Sequence, residues 1–318
     1  MIALQKAETM SDSEKKNEKP RRTAIHGWLA LDKPAGLTST QALGKVRRLL
    51  GGKKAGHAGT LDPLATGILP LAFGEATKLV PYVMDDDKEY TFTVRWGEQR
   101  ATDDMEGEVI AKSDARPDEA AIRKALPSFT GLIDQTPPSF SAIKLEGRRA
   151  YDIARQGGRP SLPSRKVMVK KLDLLELPDT DHAIINVTCG KGMYVRSLAR
   201  DLAISLGTYG HIGALRRTRV GPFTQARAIS LEKLEELAHK GAALTALLAI
   251  GAALDDIPGL QLTAGEAQRL RAGQSLLIRP QHIELMQSPV ILAEHQGVPV
   301  ALVEPRAGAF RVVRGFHF

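Results

Sequence analysis

The chain has one cysteine, Cys189, in 318 residues. A lone thiol builds neither a disulfide framework nor a multi-cysteine zinc site. It fits a reducing, cytoplasmic setting. No run approaches the ~20 apolar residues of a membrane-spanning helix. Phosphate-cradling signatures are missing. Neither G-x-x-x-x-G-K-[ST] nor G-x-G-x-x-G occurs, and Lys53 and Lys54 precede the glycines instead of following them. There is no G-x-S-x-G nucleophile elbow. No pair of histidines has metal-ligand spacing, and no second carboxylate stands at fixed spacing for paired acid/base work. These absences disfavour nucleotide hydrolysis, metal-assisted hydrolysis and serine-type acyl transfer.

What is present is a hydrophobic fraction of 43%, ample for a core. Lys and Arg number 44 against 36 Asp and Glu, a net charge of +8. The excess is concentrated: residues 140–171 carry +7 and residues 191–219 carry +5, leaving −4 for the remainder. Clustered cationic charge attracts polyanions. Two such windows flank the candidate site, which points to RNA or DNA as partner.

Three segments are expected. Residues 1–25 mix both charges with no apolar stretch and read as a disordered tail. Residues 26–255 form the main domain. Residues 256–318, after the turn residues Pro258 and Gly259, read as a small β-rich domain opened by the capping box Thr263–Glu266. Within the main domain, 28–33 reads as a strand and 41–50 as a helix capped by Thr38, Ser39 or Thr40 and ended by Gly51 and Gly52. Residues 53–67 read as a glycine-rich loop. Tyr90, Phe92, Val94 and Trp96 alternate with polar residues, as in a half-buried strand. Strands are also predicted over 167–177, 183–189 and 212–220, the last carrying Arg216, Arg217 and Arg219, and helices over 75–83, 117–126, 150–155, 197–206 and 231–254, the last interrupted near Gly241. Strands and helices without βαβ regularity predict an α+β class.

The densest chemical signal is GHAGTLDPLATG at 56–67. Pro63 disfavours the helical region at Asp62, so this acid sits on extended loop backbone. The glycines permit close approach of a backbone or a ligand.

Six segments, in order, resemble the TruB family, the tRNA pseudouridine-55 synthases. They are LDKPAGLTS at 31–39, GHAGTLDPLATGILPLAFGEATKL at 56–79, DKEY at 87–90, PPSFSAIK at 137–144, GRRAYDIARQG at 147–157 and KGMYVRSLARDL at 191–202. The C-terminal 60 residues resemble, more loosely, the PUA domain that often follows. The resemblance implies a pseudouridine synthase fold with a cleft across a central mixed sheet. It also implies a T-arm tRNA substrate and no cofactor or metal. Asp62 matches the essential aspartate. His57 matches a loop histidine that helps splay out the target nucleotide, and Tyr90 the aromatic that stacks on its uracil. Tyr194 and Arg196 match a pair flanking the aspartate, with Arg196 as its ion-pair partner. Lys33 and Lys78 match basic positions of the LDKP and EATK motifs, and Asp104 lies in the acidic stretch after the Tyr90 strand. Lys144, Arg148 and Arg149 fall in the +7 window, the expected RNA grip.

The chemistry agrees. Isomerising uridine cuts the N-glycosidic bond, turns the base and rejoins it through C5. One carboxylate suffices, adding to the sugar or the base or abstracting a sugar proton; the residues leave these open. An arginine partner is expected to lower the pKa of the acid. A stacked tyrosine holds a flipped base at ~1–3 kcal/mol. Apolar residues at 68–73 and 195–198 are expected to keep the pocket dry. A cytoplasmic monomer is expected. The rival reading is a non-catalytic RNA-binding or tRNA-folding protein on the same scaffold.

Overall fold

The computed structural model describes residues 24–141, 143–145, 147–156, 158, 162–254 and 257–318. The expected tail lies outside these, apart from Ala24 and Ile25.

The apolar run Gly27–Lys33 forms strand β1. Helix α1 (Ser39–Leu50) follows, and Thr38 caps it: its hydroxyl accepts from Gln41 N, and the Gln41 side chain accepts from Thr38 N. Gly51 ends the helix in the left-handed region, at φ 67°. The predicted glycine-rich loop is more ordered than composition suggests. It contains strand β2 (Ala55–His57) and the start of β3 (Thr66–Phe73). A strand of three small or polar residues has no alternation to betray it; pairing with the buried β3 makes it.

A 3-10 turn at Gly74–Leu79 leads into α2 (Val80–Asp85), β4 (Lys88–Trp96) and the hairpin β5 (Glu98–Arg100) and β6 (Val109–Lys112). Next come α3 (Glu119–Ala125), β7 (Gly131–Gln135), the small hairpin β8 (Lys144–Leu145) and β9 (Arg148–Arg149), and α4 (Ala150–Arg155). They are followed by β10 (Arg165–Asp179), β11 (His182–Cys189), α5 (Val195–Ser205), β12 (Gly210–Val220), β13 (Phe223–Thr224), β14 (Ala228–Ser230) and α6 (Leu231–His239). The predicted helix over 231–254 breaks at the interruption expected near Gly241. Gly241 takes φ 69°, and the chain continues as short 3-10 turns at Ala243–Ala246 and Ile250–Ala253.

The main sheet has ten strands, ordered β14-β1-β3-β12-β4-β11-β10-β7, with β2 added to β3 and β13 to β12. Its central strands are buried on both faces. Leu29, Leu31, Leu69, Leu71 and Phe73 join one core with α1 and α5; Trp28, Ala30, Ile68 and Ala72 join another. Two-sided burial explains why β1 and β3 read as continuous apolar runs.

Strand β3 pairs with β1 along one edge over its last seven residues. Its other edge is shared. Thr66 and Gly67 pair in parallel with Arg216 and Arg217 of β12. Ile68 O accepts from the Arg217 guanidinium, Pro70 O from Ala58 N, and residues 71–73 pair with β2. The 58–65 loop thus leaves from a fork inside the sheet.

The C-terminal part holds β15 (Gly259–Gln261), α7 (Ala264–Arg271), β16 (Leu276–Leu277), β17 (Ile291–His295), β18 (Val298–Arg306) and β19 (Ala309–Gly315). These form a five-stranded sheet, β15-β17-β18-β19-β16. The predicted Thr263–Glu266 capping box opens α7. Leu292, Leu302 and Phe316 pack into the second core beneath the main sheet.

Candidate active site

The loop carrying Asp62 is clamped on its backbone. Leu61 N donates to the buried Ser39 hydroxyl at 2.8 Å, and that hydroxyl donates back to Leu61 O at 3.0 Å. The fully buried Lys33 ammonium donates to the carbonyls of Pro34, Leu37 and Pro63, and Gly36 N also donates to Pro63 O. Ala65 N donates to Asp62 O. Lys33 therefore faces three carbonyls and no open cleft; its role in this geometry is to organise the loop. Burial first, opposed by Asp62 and aided by Arg217, pulls its pKa down to about 8.

On this rigid loop the Asp62 carboxylate lies 2.9 Å from Arg196 Nε, with 34% of its side chain exposed. The contact is a close charge pair, since Arg196 Nε makes no aligned hydrogen bond among the described residues. The rest of the guanidinium is anchored. NH1 donates to Thr102 O at 3.0 Å and lies 3.5 Å from Asp104 Oδ2; NH2 donates to Phe140 O at 3.0 Å. Asp104 is itself fixed by the Thr102 hydroxyl and by Glu106 N. Arg196 sits in the first turn of α5, which begins at Val195, two residues earlier than predicted.

Arg196 lowers the pKa of Asp62 as expected, but it does not decide the net shift. Burial pushes the carboxyl above its ordinary 3.8, and Asp104 adds to the rise; Arg196 and Lys33 only partly oppose it. A charge in a poorly hydrated site raises its own cost, and one shared counter-ion does not cancel it.

Tyr90 sits opposite Arg217 in the β4–β12 register, half-buried and packed on the core. Burial pushes its phenol up; Arg217 opposes this, and Cys189 and then Asp62 add to it. His57 lies on β2, its pKa lowered by burial and then by Arg217, so the neutral imidazole is favoured. Its buried Nδ1 has no hydrogen-bond partner among the described residues. Tyr194 caps α5 in extended conformation. Gln135 holds it by accepting from Tyr194 N at 2.8 Å and donating to Tyr194 O at 3.1 Å. The Arg165 guanidinium lies 5.1 Å from its ring centroid.

The structure thus brings Asp62, Arg196 and Asp104 into one cluster, with Lys33 and Tyr90 near enough to feel the Asp62 charge. Lys78 goes elsewhere. Its ammonium pairs with Glu75 at 2.6 Å and donates to Gly315 O at 2.8 Å, joining the 3-10 turn after β3 to the C-terminal sheet. Glu75 also accepts from His317 N. Lys144, Arg148 and Arg149 lie on the β8–β9 hairpin, of which the structure describes the backbone only.

Two residues escaped sequence reasoning. Ser39 looked like one of three capping candidates. Arg217 looked like one of three arginines on a strand, yet it is buried, with Nε donating to Ile68 O at 2.7 Å and NH2 to Gly59 O at 3.0 Å. Its signal was parity: counted from the apolar Leu215, Arg217 falls on the inward face.

Comparison with known proteins agrees with this architecture. The family model for TruB family pseudouridylate synthase (N terminal domain) matches residues 47–195, and that for tRNA pseudouridylate synthase B C-terminal domain matches 196–254. A protein of Caulobacter vibrioides named tRNA pseudouridine synthase B is 50% identical over 300 residues, 92% of this chain and 97% of that protein. One of the same name from Agrobacterium fabrum is 50% identical over 307 residues, 94% and 97% of the two chains. A solved Cbf5-Nop10-Gar1 complex has a chain of the same fold, with TM-score 0.70 and 24% identity, over 92% of this chain and 85% of that one. Half its residues are identical to these relatives over nine-tenths of its length, and the chain belongs to the TruB family of pseudouridylate synthases.

Proposed function

We propose that the chain is a tRNA pseudouridine synthase that isomerises uridine 55 in the T-loop, with Asp62 as the catalytic carboxylate. The observation that carries the reading is the Asp62–Arg196 pair: one acid, partly open to solvent, on a loop clamped by Ser39 and Lys33. The relatives' shared name supports the substrate class.

The reaction breaks the C1′–N1 bond, turns the base, and forms C1′–C5. N1 gains a proton and C5 loses one to solvent. Atoms and electrons balance within the nucleoside, so the proposed chemistry draws on no cofactor or metal. A carboxylate that attacks C1′ or the base, or takes a sugar proton, must be ionised, and Arg196 favours that form. Tyr90 is the proposed stacking surface for the flipped uracil, and His57 and Tyr194 flank it. On this proposal the buried apolar side chains of Ile68, Leu69, Val195 and Leu198, close in sequence to the loop and to Arg196, limit diffusion of a detached base. In this reading the β8–β9 hairpin, with Lys144, Arg148 and Arg149, grips the T-arm, the five-stranded C-terminal sheet is a PUA-like RNA-binding domain, and the protein acts as a cytoplasmic monomer.

The test is a T-arm RNA tritiated at uracil C5, given to wild type and to Asp62→Asn. The expected result is tritium release by wild type only, with both proteins binding the RNA. Equal release by both, or none by a wild type that binds, overturns the assignment and leaves an RNA-binding protein.

A further inference from the structure

Arg196 does not stand alone on its helix. Arg200 follows it by one turn of α5, and four-residue spacing puts both guanidinium groups on one face. Arg200 NH1 lies 2.8 Å from Asp103 Oδ2, its NH2 donates to Thr136 O at 2.9 Å, and its Nε meets Asp201 Oδ1 at 2.9 Å. Arg196 binds the same two stretches of chain, through Thr102 and Asp104 on one side and Phe140 on the other. Neighbouring acids on the 102–104 turn thus meet neighbouring arginines on α5. The turn adopts an uncommon conformation to do so: Asp103 is a buried non-glycine residue at φ 58°. Its backbone is tied at both ends, its N–H donating to Arg100 O and its C=O accepting from Ile212 N.

We propose that Asp103 and Arg200 form a positioning pair that sets Arg196, and through it Asp62, against both the 102–104 turn and the 136–140 segment. The pair touches neither substrate nor acid. It acts by fixing the distance between two chain segments that the Arg196 guanidinium must span. Because 136–140 runs on toward the β8–β9 hairpin, the pair also ties the base of the proposed RNA grip to the acid.

The charge state of Asp103 gives the inference a distinctive signature. Burial lifts its carboxyl to about 6, against the pull of Arg200 and Arg196 and with a push from Asp201. Below that pH wild-type Asp103 is protonated and resembles asparagine, so wild type and Asp103→Asn converge. Above it only wild type keeps the charge.

The inference rests on the reading of Asp62 given above, and the experiment separates the two. Single-turnover tritium release is measured for wild type, Asp103→Asn and Arg200→Lys between about pH 5 and pH 8, with thermal melts of each. At about pH 8 the Asp103→Asn rate falls about tenfold with little change in RNA affinity, a size in keeping with a sub-ångström misplacement of catalytic groups. The ratio of wild-type to variant rate shrinks toward one below about pH 6. Arg200→Lys keeps the charge but not the fork, and it loses rate as Asp103→Asn does. A ratio that stays constant with pH, or melting points that fall while the rates stay at wild-type level, overturns the positioning role. Should Asp103→Asn not fold, Arg200→Lys decides by its rate alone. Wild type that releases no tritium overturns the reading of Asp62 and this inference with it.

Discussion

Gly67 and Arg217 face each other across the short parallel contact of β3 and β12, and a Cβ on Gly67 would lie 2.1 Å from the Arg217 carbonyl oxygen. Gly67 also takes φ 99°. Space and backbone angle both demand glycine there, at the exit of the Asp62 loop. Gly67→Ala is expected to cost at least about 2 kcal/mol and to part the two strands. Chemical denaturation measures the loss, and a midpoint within error of wild type contradicts it.

Ser39 is a smaller residue with a comparable grip. Ser39→Ala leaves Leu61 N–H and C=O buried and unpaired, at about 1–3 kcal/mol. The loop loosens next to Asp62, so the single-turnover rate should fall more than RNA affinity. Equal losses in both would show a general defect of folding.

Asp62 should lower the stability of the protein that depends on it. Its folded pKa lies above the ordinary 3.8, so the folded state binds the proton more tightly than the unfolded chain. Between those values stability falls as pH rises, and above the folded value the full cost of the charge is present. Asp62→Asn is therefore expected to melt above wild type near about pH 8, with the gap closing toward about pH 4. Thermal melts across that range check the sign.

Lys78 separates a motif position from a place in the site. Its partners are Glu75 and Gly315 O, so Lys78→Ala should leave the single-turnover rate within about twofold. Its effect should appear as faster hydrogen exchange at residues 315–318. A large fall in rate with unchanged exchange would return it to the site.

The β8–β9 hairpin is tested by salt. Removing one phosphate-binding cation flattens the slope of log affinity against log salt by about 0.7–0.9. Arg148→Ala combined with Arg149→Ala should flatten it by roughly two such steps. An unchanged slope places the grip elsewhere.

Local signals were legible in the sequence and long-range ones were not. The Thr263–Glu266 capping box stands in the structure as read, and of the three candidate caps of α1 Thr38 is the one that closes a box, with Gln41; each closes within four residues. The alternation of β4 was legible because one of its faces is buried. Arg217 was not singled out, because its acceptors are 149 and 158 residues away. The net direction of the Asp62 pKa was not legible for a related reason. An arginine partner can be inferred from a motif, but the burial that outweighs it comes from folding. The break near Gly241 was legible, but not that 243–253, apolar and alanine-rich, continues as 3-10 turns instead of α-helix.

The fork in β3 carries one more consequence. Ordinary surface loops tolerate insertions because their stems can spread. Here one stem is β2 itself, paired with residues 71–73, and the other is Thr66–Gly67, paired with β12, both on the same edge of β3. An added residue must either bulge within 58–65 or slide one stem out of register. The number of links between His57 and Thr66 is thus as constrained as the acid they carry.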